Sequence, residues 1–477
     1  MRVLTLALRF TMELRDYQLE AVIACHKASR LAVQAPTGSG KSWIIAQYIK
    51  ELKKQDPGVT VVLSTGFNNL VFDLHKTLAM FDVKARVLIG RAATVCGRSG
   101  HSPENPLVPY TEDKKIQPKA MGCSQCISSC NYKPRVIPGE VLVTNHSMMA
   151  VLSEQIDSLD KAVIIVDEAH TLYNYISSYN EALVTLDHIK QLQLELVKKS
   201  LPAIKAKKLI DIATKGGITE ELVKAAYGFF PDLVPEIDRA AQLLKAPANS
   251  LFKENLPEGF RVRRFVGEKF ILRHKTLFFT ATINGFHAKY LALTSKNILK
   301  VNSGKPKNSL LHTFKVGKQL PNKMHVRDLV SKRSDKRGLI LSPSFADLQE
   351  YVGALPSNIN KTDKPLAFTG NGILYGSRRL FQGVNIDDLN YIIITKLPFP
   401  IYNEEYVKWS EYVQRLMGIS TWEITIAQVE SDLIQAAGRL WRRPDQEGEI
   451  HIALYGMPYD RNVILSVAEF FNLKIVA

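Results

Sequence analysis

The octapeptide Ala35-Pro36-Thr37-Gly38-Ser39-Gly40-Lys41-Ser42 constrains this chain more than any other stretch, because it works only between a strand and a helix. Both flanks have the required character: Leu31 to Gln34 is a short apolar run of strand type, and Trp43 to Lys53 reads as a helix. Gly38 and Gly40 let the backbone turn its N–H groups onto phosphate oxygens, and the helix that follows adds the positive end of its dipole. Lys41 is then expected at the β and γ phosphates and Ser42 at Mg²⁺, with Thr37 and Ser39 completing the loop. A nucleotide-binding α/β domain follows.

The rest of the chain agrees with that class. Val59 to Ser64, Val141 to Thr144, Ala162 to Val166 and Thr276 to Thr280 are further strand-like runs separated by helical stretches, the pattern of a parallel sheet covered by helices. A second series runs through Gly338 to Ser342, Leu366 to Thr369, Tyr391 to Thr395 and Ile450 to Tyr455, so a second α/β unit is expected within the 477 residues. Two stretches interrupt the first series. Gly90 to Pro138 is rich in Gly, Pro, Ser and Cys without periodicity, whereas Tyr175 to Phe270 reads as helical, with Leu186, Ile189, Leu192 and Leu196 on one face.

The 62 basic against 46 acidic side chains give a formal charge of +16, which favours a polyanionic partner without naming it. The apolar runs are strand-sized, far below the ~20 residues of a bilayer span, and no small-residue cleavage site follows Met1 to Phe10. No membrane segment and a cytoplasmic location are therefore expected. Met12 directly precedes the first recognisable motif, so Met1 to Thr11 is expected to be an upstream extension whose deletion leaves ATPase activity intact.

Three further clusters carry chemistry. Val163-Ile164-Ile165-Val166-Asp167-Glu168-Ala169-His170 delivers two acids to the carboxyl end of a strand, where ligands bind in open α/β sheets. Asp167 suits the Mg²⁺ shell, and Glu168 suits the orientation and deprotonation of an attacking water. In Gln435-Ala436-Ala437-Gly438-Arg439-Leu440-Trp441-Arg442, helical spacing places Gln435, Arg439 and Arg442 on one face, and a fixed guanidinium neutralises charge spreading over the γ-phosphate during transfer. Cys96, Cys123, Cys126 and Cys130 crowd into one segment, which in a reducing compartment points to metal rather than disulfides. Four thiolates suit tetrahedral zinc and a [4Fe-4S] cluster equally well. Cys25, beside Ala21, Val22 and Ala24, reads as a packing residue.

From roughly Leu14 to Gly456 these motifs resemble the superfamily 2 helicases, and within them the iron-sulfur helicases of the DinG and XPD type. Leu14-Arg15-Asp16-Tyr17-Gln18 looks like the family's element before the P-loop, which implies that Arg15 and Gln18 recognise the nucleotide base. Ser64-Thr65 and Ser342-Pro343-Ser344 resemble nucleic-acid contacts of the first and second motor domains, and Thr280-Ala281-Thr282 the motif coupling hydrolysis to movement. Lys396-Leu397-Pro398-Phe399-Pro400 is similar to a segment typical of the DinG branch. The cysteines fall where these helicases carry a cluster-binding insertion, so the resemblance implies [4Fe-4S], with zinc as the alternative. Phe381-Gln382-Gly383-Val384-Asn385 departs from the family by placing Gln382 and Asn385 where carboxylates are usual, which bears on the tightness of coupling.

The expected architecture is α/β, with two RecA-like parallel-sheet motor domains. The first comprises 1–90, 138–174 and 271–302, interrupted by a metal-cysteine insertion at 91–137 and a helical arch-like insertion at 175–270, and the second spans 303–477. The resemblance implies an ATP- and Mg²⁺-dependent motor on single-stranded or tailed duplex DNA, moving 5′ to 3′ and unwinding. An RNA helicase, a translocase without unwinding and an ATP-switched binding component are the alternatives.

Overall fold

In a computed structural model, the protein is described at residues 14–89, 135–199, 203–231, 233–265, 273–301, 310–315, 322–333, 336–344, 359–361, 373–376, 389–400, 403–440, 447–455 and 460–476. Strands β1 (Arg30–Gln34), β2 (Thr60–Thr65), β3 (Arg86–Leu88), β4 (Val141–Asn145) and β5 (Ala162–Asp167) come first. The chain then leaves this sheet for β6 (Glu181–Thr185), β7 (Leu251–Leu256) and β8 (Gly259–Arg264), and returns with β9 (Lys275–Thr280) and β10 (Ile298–Lys300). The first sheet has seven strands in the order β10-β1-β9-β5-β2-β4-β3, all parallel. Such a sheet is buried on both faces, which is why its central strands are continuous apolar runs: every residue of β2 and of β5 is buried.

Strands β11 (Leu310–Lys315), β12 (Gly338–Leu341), β13 (Ile359–Lys361), β14 (Ile373–Gly376), β15 (Tyr391–Ile394), β16 (Glu449–Leu454) and β17 (Lys474–Val476) form a second seven-stranded sheet. Its order is β13-β14-β12-β15-β16-β11-β17, again all parallel. The two RecA-like sheets expected from the sequence are thus present, one drawn from residues 30–300 and the other from 310–476. Short strands such as β3, β10 and β17, of three residues each, lack the long apolar run that made the others legible.

The unit between β5 and β9 is only partly helical. Helices Leu186–Lys198, Ile204–Gly216, Glu220–Phe229 and Pro235–Leu243 pack on an antiparallel sheet of order β6-β8-β7. The reading of Tyr175 to Phe270 as helical missed these strands because β7 and β8 carry Lys253, Glu254, Arg261 and Arg263, whose charges break up any apolar run. Those charges are used internally. Arg261 meets Glu181, Glu254 and Glu405 at 3.2, 3.4 and 2.9 Å, and Arg263 meets Glu181 and Glu405 at 2.8 and 2.6 Å.

Glu405 belongs to the second half of the chain, and so does the rest of this junction. Helix Glu404–Met417 lays Trp409 and Tyr412 against Phe252 of β7, at ring separations of 5.7 and 5.6 Å. Trp409 Nε1 donates to Tyr173 Oη at 3.0 Å, and Tyr412 Oη donates to the Asn249 carbonyl at 2.9 Å. Trp409, Tyr412, Val413, Ile419, Ile424 and Ala427 share one hydrophobic cluster with Phe278, Phe286 and Tyr290 of the first lobe. No helix among the described residues is long and apolar enough to cross a membrane.

Candidate active site

The order of the first sheet gathers the site. β1, β9 and β5 are neighbours in register, Gln34 opposite Thr280 and Asp167 opposite Phe279. Parallel strands end on the same edge, so the loop after β1, the Thr280-Ala281-Thr282 turn after β9 and the acidic pair after β5 lie side by side.

The loop after β1 has the geometry of a phosphate cradle. Gly38 and Gly40 both have φ of +80°, and a methyl group on Gly40 would also fall 2.3 Å from Gln18 Nε2, so this turn tolerates only glycine there. Helix Lys41–Gln55 starts immediately after. Lys41 is buried, with Nζ donating to the carbonyls of Ala35 and Pro36 at 3.3 and 3.5 Å, long bonds that a phosphate oxygen could replace. Gln18 Nε2 and Tyr17 Oη both donate to the Ser39 carbonyl, at 3.0 and 2.9 Å, while Gln18 Oε1 accepts from the Arg15 backbone at 3.0 Å. The segment at Arg15 to Gln18 therefore braces the cradle from behind.

Asp167 is 5 % exposed and its Oδ1 has no hydrogen-bond partner. Burial and the neighbouring Glu168 charge push its carboxyl up to about 7, while Lys41 opposes them. A buried carboxylate oxygen without a partner is what a divalent cation requires, and the buried, unpartnered hydroxyls of Thr37 and Ser39 stand in the same loop. The residues present therefore fit a nucleotide with its metal. Glu168 adopts the left-handed conformation at φ 52°, ψ 45°, which non-glycine residues rarely take and which redirects its side chain at the strand end.

Across the cleft stands helix Thr421–Ala437 of the second half of the chain. Gln435 Nε2 donates to Glu168 Oε2 at 2.9 Å. One turn earlier, Thr282 Oγ1 donates to Ser431 Oγ at 3.1 Å, and Asn284 Nδ2 to the Ala427 carbonyl at 3.1 Å. Just past the helix end, a methyl group on Gly438 would fall 1.5 Å from Thr37 Oγ1, so the two lobes touch at the cradle itself. Arg439 is 3 % exposed in the turn that follows, and Arg442 lies outside the described residues. His170 Nδ1 shares a hydrogen bond with Thr280 Oγ1 at 2.9 Å, and Thr280 Oγ1 also accepts from the Thr282 backbone at 3.2 Å. Glu168 is thus bonded to the far helix through Gln435, and His170 reaches the same helix through the Thr280 turn and Ser431.

Sequence reasoning gave no role to Tyr17, His170, Ser431 or Gly438. The proximity of the motifs could have suggested His170, but nothing in the sequence marks Ser431 as the partner of Thr282. Ser64 and Thr65 are both fully buried at the end of β2, with Ser64 Oγ at 3.0 Å from His146 Nδ1. Ser342 is buried with its hydroxyl against Thr395. Cys96, Cys123, Cys126 and Cys130, together with Gln382 and Asn385, lie outside the described residues. Cys25 is buried in the first-lobe core, where burial pushes its thiol up to about 12, as an inert packing residue requires.

Two seven-stranded parallel sheets facing each other across a phosphate cradle, an acidic strand end and a glutamine helix define a two-lobed P-loop ATPase. Comparison with known proteins narrows this. Residues 11–196 match the family described as type III restriction enzyme, res subunit, and residues 357–453 match a helicase C-terminal domain. No curated protein matches the chain in sequence. Among solved structures, one titled XPD helicase is similar with a TM-score of 0.63 at 13% identity, covering 98% of this chain and 100% of that one. An apo XPD aligns with a TM-score of 0.61 at 12% identity over 97% and 100% of the two chains. Xpd4 of S. tokodaii gives 0.60 at 15% identity, also over 97% and 100%. The two family matches make the chain an ATP-dependent helicase, and its fold is similar to that of the XPD structures.

Proposed function

We propose that the protein moves along single-stranded DNA in the 5′ to 3′ direction and separates the duplex ahead of it, with Cys96, Cys123, Cys126 and Cys130 holding a [4Fe-4S] cluster. The observation that carries the motor reading is the bond between Gln435 of one lobe and Glu168 of the other, since a nucleotide seated between them meets groups from both. The backbone at Gly38 to Gly40 would hold the phosphates, and Lys41 would exchange its carbonyl partners for the β and γ oxygens. Ser42 and Asp167 would hold Mg²⁺, which supplies charge neutralisation on the phosphate oxygens. Glu168 would orient the attacking water and take its proton, and Gln435, Arg439 and Arg442 would complete the site from the far lobe. Arg15 and Gln18 would contact the base.

Movement would be transmitted through Thr280 and Thr282, which join His170 on one side to Ser431 on the other. The strand would cross the turns that follow Ser64-Thr65 and include Ser342 to Ser344. Because the Ser64, Thr65 and Ser342 side chains are buried, their part would be to hold those turns in place.

The test is anaerobic purification with iron, sulfide and zinc analysis, then ATPase and strand-displacement assays on the same sample with DNA and RNA tails of each polarity. We expect iron and sulfide, hydrolysis strongly stimulated by single-stranded DNA, and displacement from a 5′ tail. Lys41→Ala and Glu168→Gln should abolish turnover, the second while still binding ATP; normal hydrolysis by either sinks the site assignment. Cys123→Ser should lose iron and lose unwinding more than basal hydrolysis. Tight strand binding without stimulation would point to an ATP-switched binding component, and displacement only from RNA tails to an RNA helicase.

A further inference from the structure

A cavity of about 480 Å³ lies where the first lobe, the inserted α/β unit and the second half of the chain meet, within the roughly 300–1,000 Å³ typical of small-molecule sites. Four aromatic rings line it, those of Phe67, Tyr173, Tyr406 and Trp409, together with the side-chain amides of Asn174 and Gln428. We propose that this cavity receives one nucleobase of the bound strand, drawn out of the stack of its neighbours. The inference rests on the nucleic-acid reading above and adds a subsite to it.

The chemistry of the walls selects a flat, neutral, hydrogen-bonding ring. Trp409 is already covered by Tyr412 and Arg263, at 5.6 and 5.1 Å, so stacking on the base falls to Phe67, while amides match the donor and acceptor edges of a base exposed in a single strand. Gln428 and Asn174 hold each other by one long bond of 3.3 Å, which a base edge can replace. A phosphate is disfavoured. The guanidinium of Arg263 in the wall is already engaged by Glu181 and Glu405, at 2.8 and 2.6 Å, and Glu181 and Asp432 line the cavity too. The lining imidazoles of His170 and His287 are fully buried, and desolvation holds both neutral, pushed down to about 3.

Position supports a base of the strand over a free metabolite. Phe67 sits two residues beyond Thr65, at the carboxyl end of β2, and is half-buried. Pro400 also lines the cavity, and the ring of the preceding Phe399 stacks on the 37 % exposed Trp422 at 6.0 Å and 17°. The same cavity is lined by His170 and Ser431, the two groups hydrogen-bonded to Thr280 and Thr282. Filling it therefore bears directly on the chain of bonds that spans the ATP cleft.

The full-length protein is titrated with a set of single-stranded DNA oligonucleotides, each carrying 2-aminopurine at a different position, and in a parallel arm with free 2-aminopurine riboside. One position is expected to change its fluorescence sharply on binding while its neighbours do not. Phe67→Ala should erase that change and weaken strand binding roughly tenfold, the loss of one base stack. Phe67→Tyr should keep both. Gln428→Leu, at a half-buried side chain of the cavity wall, should reduce the position-specific change if Phe67→Ala disturbs its loop. Strand binding with equal signals at every position, or a position-specific signal unaltered by Phe67→Ala and Gln428→Leu, overturns the subsite and leaves the helicase reading standing. An equal response to the free riboside overturns the assignment to the strand, and absence of all nucleic-acid binding removes the subsite together with that reading.

Discussion

Residues at the cleft show how little room separates its two sides. Gly438 needs no unusual backbone angle, with φ of −62°, yet the space for its side chain is taken by Thr37 of the phosphate cradle. Gly438→Ala should therefore prop the lobes apart while leaving the cradle intact. The expected result is hydrolysis reduced at least tenfold, the cost of displacing far-lobe groups by as little as an ångström, with nucleotide affinity changed far less. Unaltered turnover would show that the contact is not part of the working state. The site was largely legible at this scale, since Lys41, Asp167, Glu168 and Gln435 are each named by type and spacing and are brought together. What could not be read was pairing across distant sequence, such as Thr282 with Ser431, because a small hydroxyl has no pattern that announces its partner.

Elements were legible where burial imposes a long apolar run and obscure where it does not. β2 and β5 are buried along their whole length and stand out, whereas β8 buries Arg261 and Arg263 by surrounding them with carboxylates, so its sequence looks solvent-facing. Helix Glu404–Met417 is a second case: its sequence places it with the second sheet, but its Trp409 and Tyr412 pack on Phe252 and the first-lobe cluster. Trp409 is 6 % exposed, stacked on Tyr412 at 5.6 Å, bonded to Tyr173 and covered by Arg263 at 5.1 Å from its ring. Trp409→Ala should cost about 3–5 kcal/mol, read as a lower urea midpoint, and should leave Tyr173 without its donor. A shift close to that of an exposed substitution would mean that the helix is held by the ion pairs alone.

For the whole molecule, the buried imidazoles set the acid limit. His146, His170 and His287 are pushed down to about 3 and His451 to about 4, in each case chiefly by burial. Unfolded histidines take up protons near pH 6.5, so below that value the unfolded chain binds more protons than the folded one. Stability is thus complete above about pH 6.5 and declines as pH falls toward the folded values, each imidazole contributing up to about 1.4 kcal/mol per pH unit. Asp167, raised to about 7, works in the opposite sense, as does Glu430, which burial also raises, while burial lowers His325 like the other imidazoles. Unfolding midpoints measured from pH 7.5 to 5 should fall steadily, and His287→Phe should flatten the slope by one proton; an identical slope would show that His287 titrates normally in the folded chain.

The junction of Trp409, Tyr412 and Phe252 also sets the geometry of any stroke. Jaws pinned together at one corner cannot drift apart in parallel, and with a tryptophan as the pin they can only swing. Any opening at the edge where Gly438 rests on Thr37 would then be a rotation about that corner rather than a parallel separation.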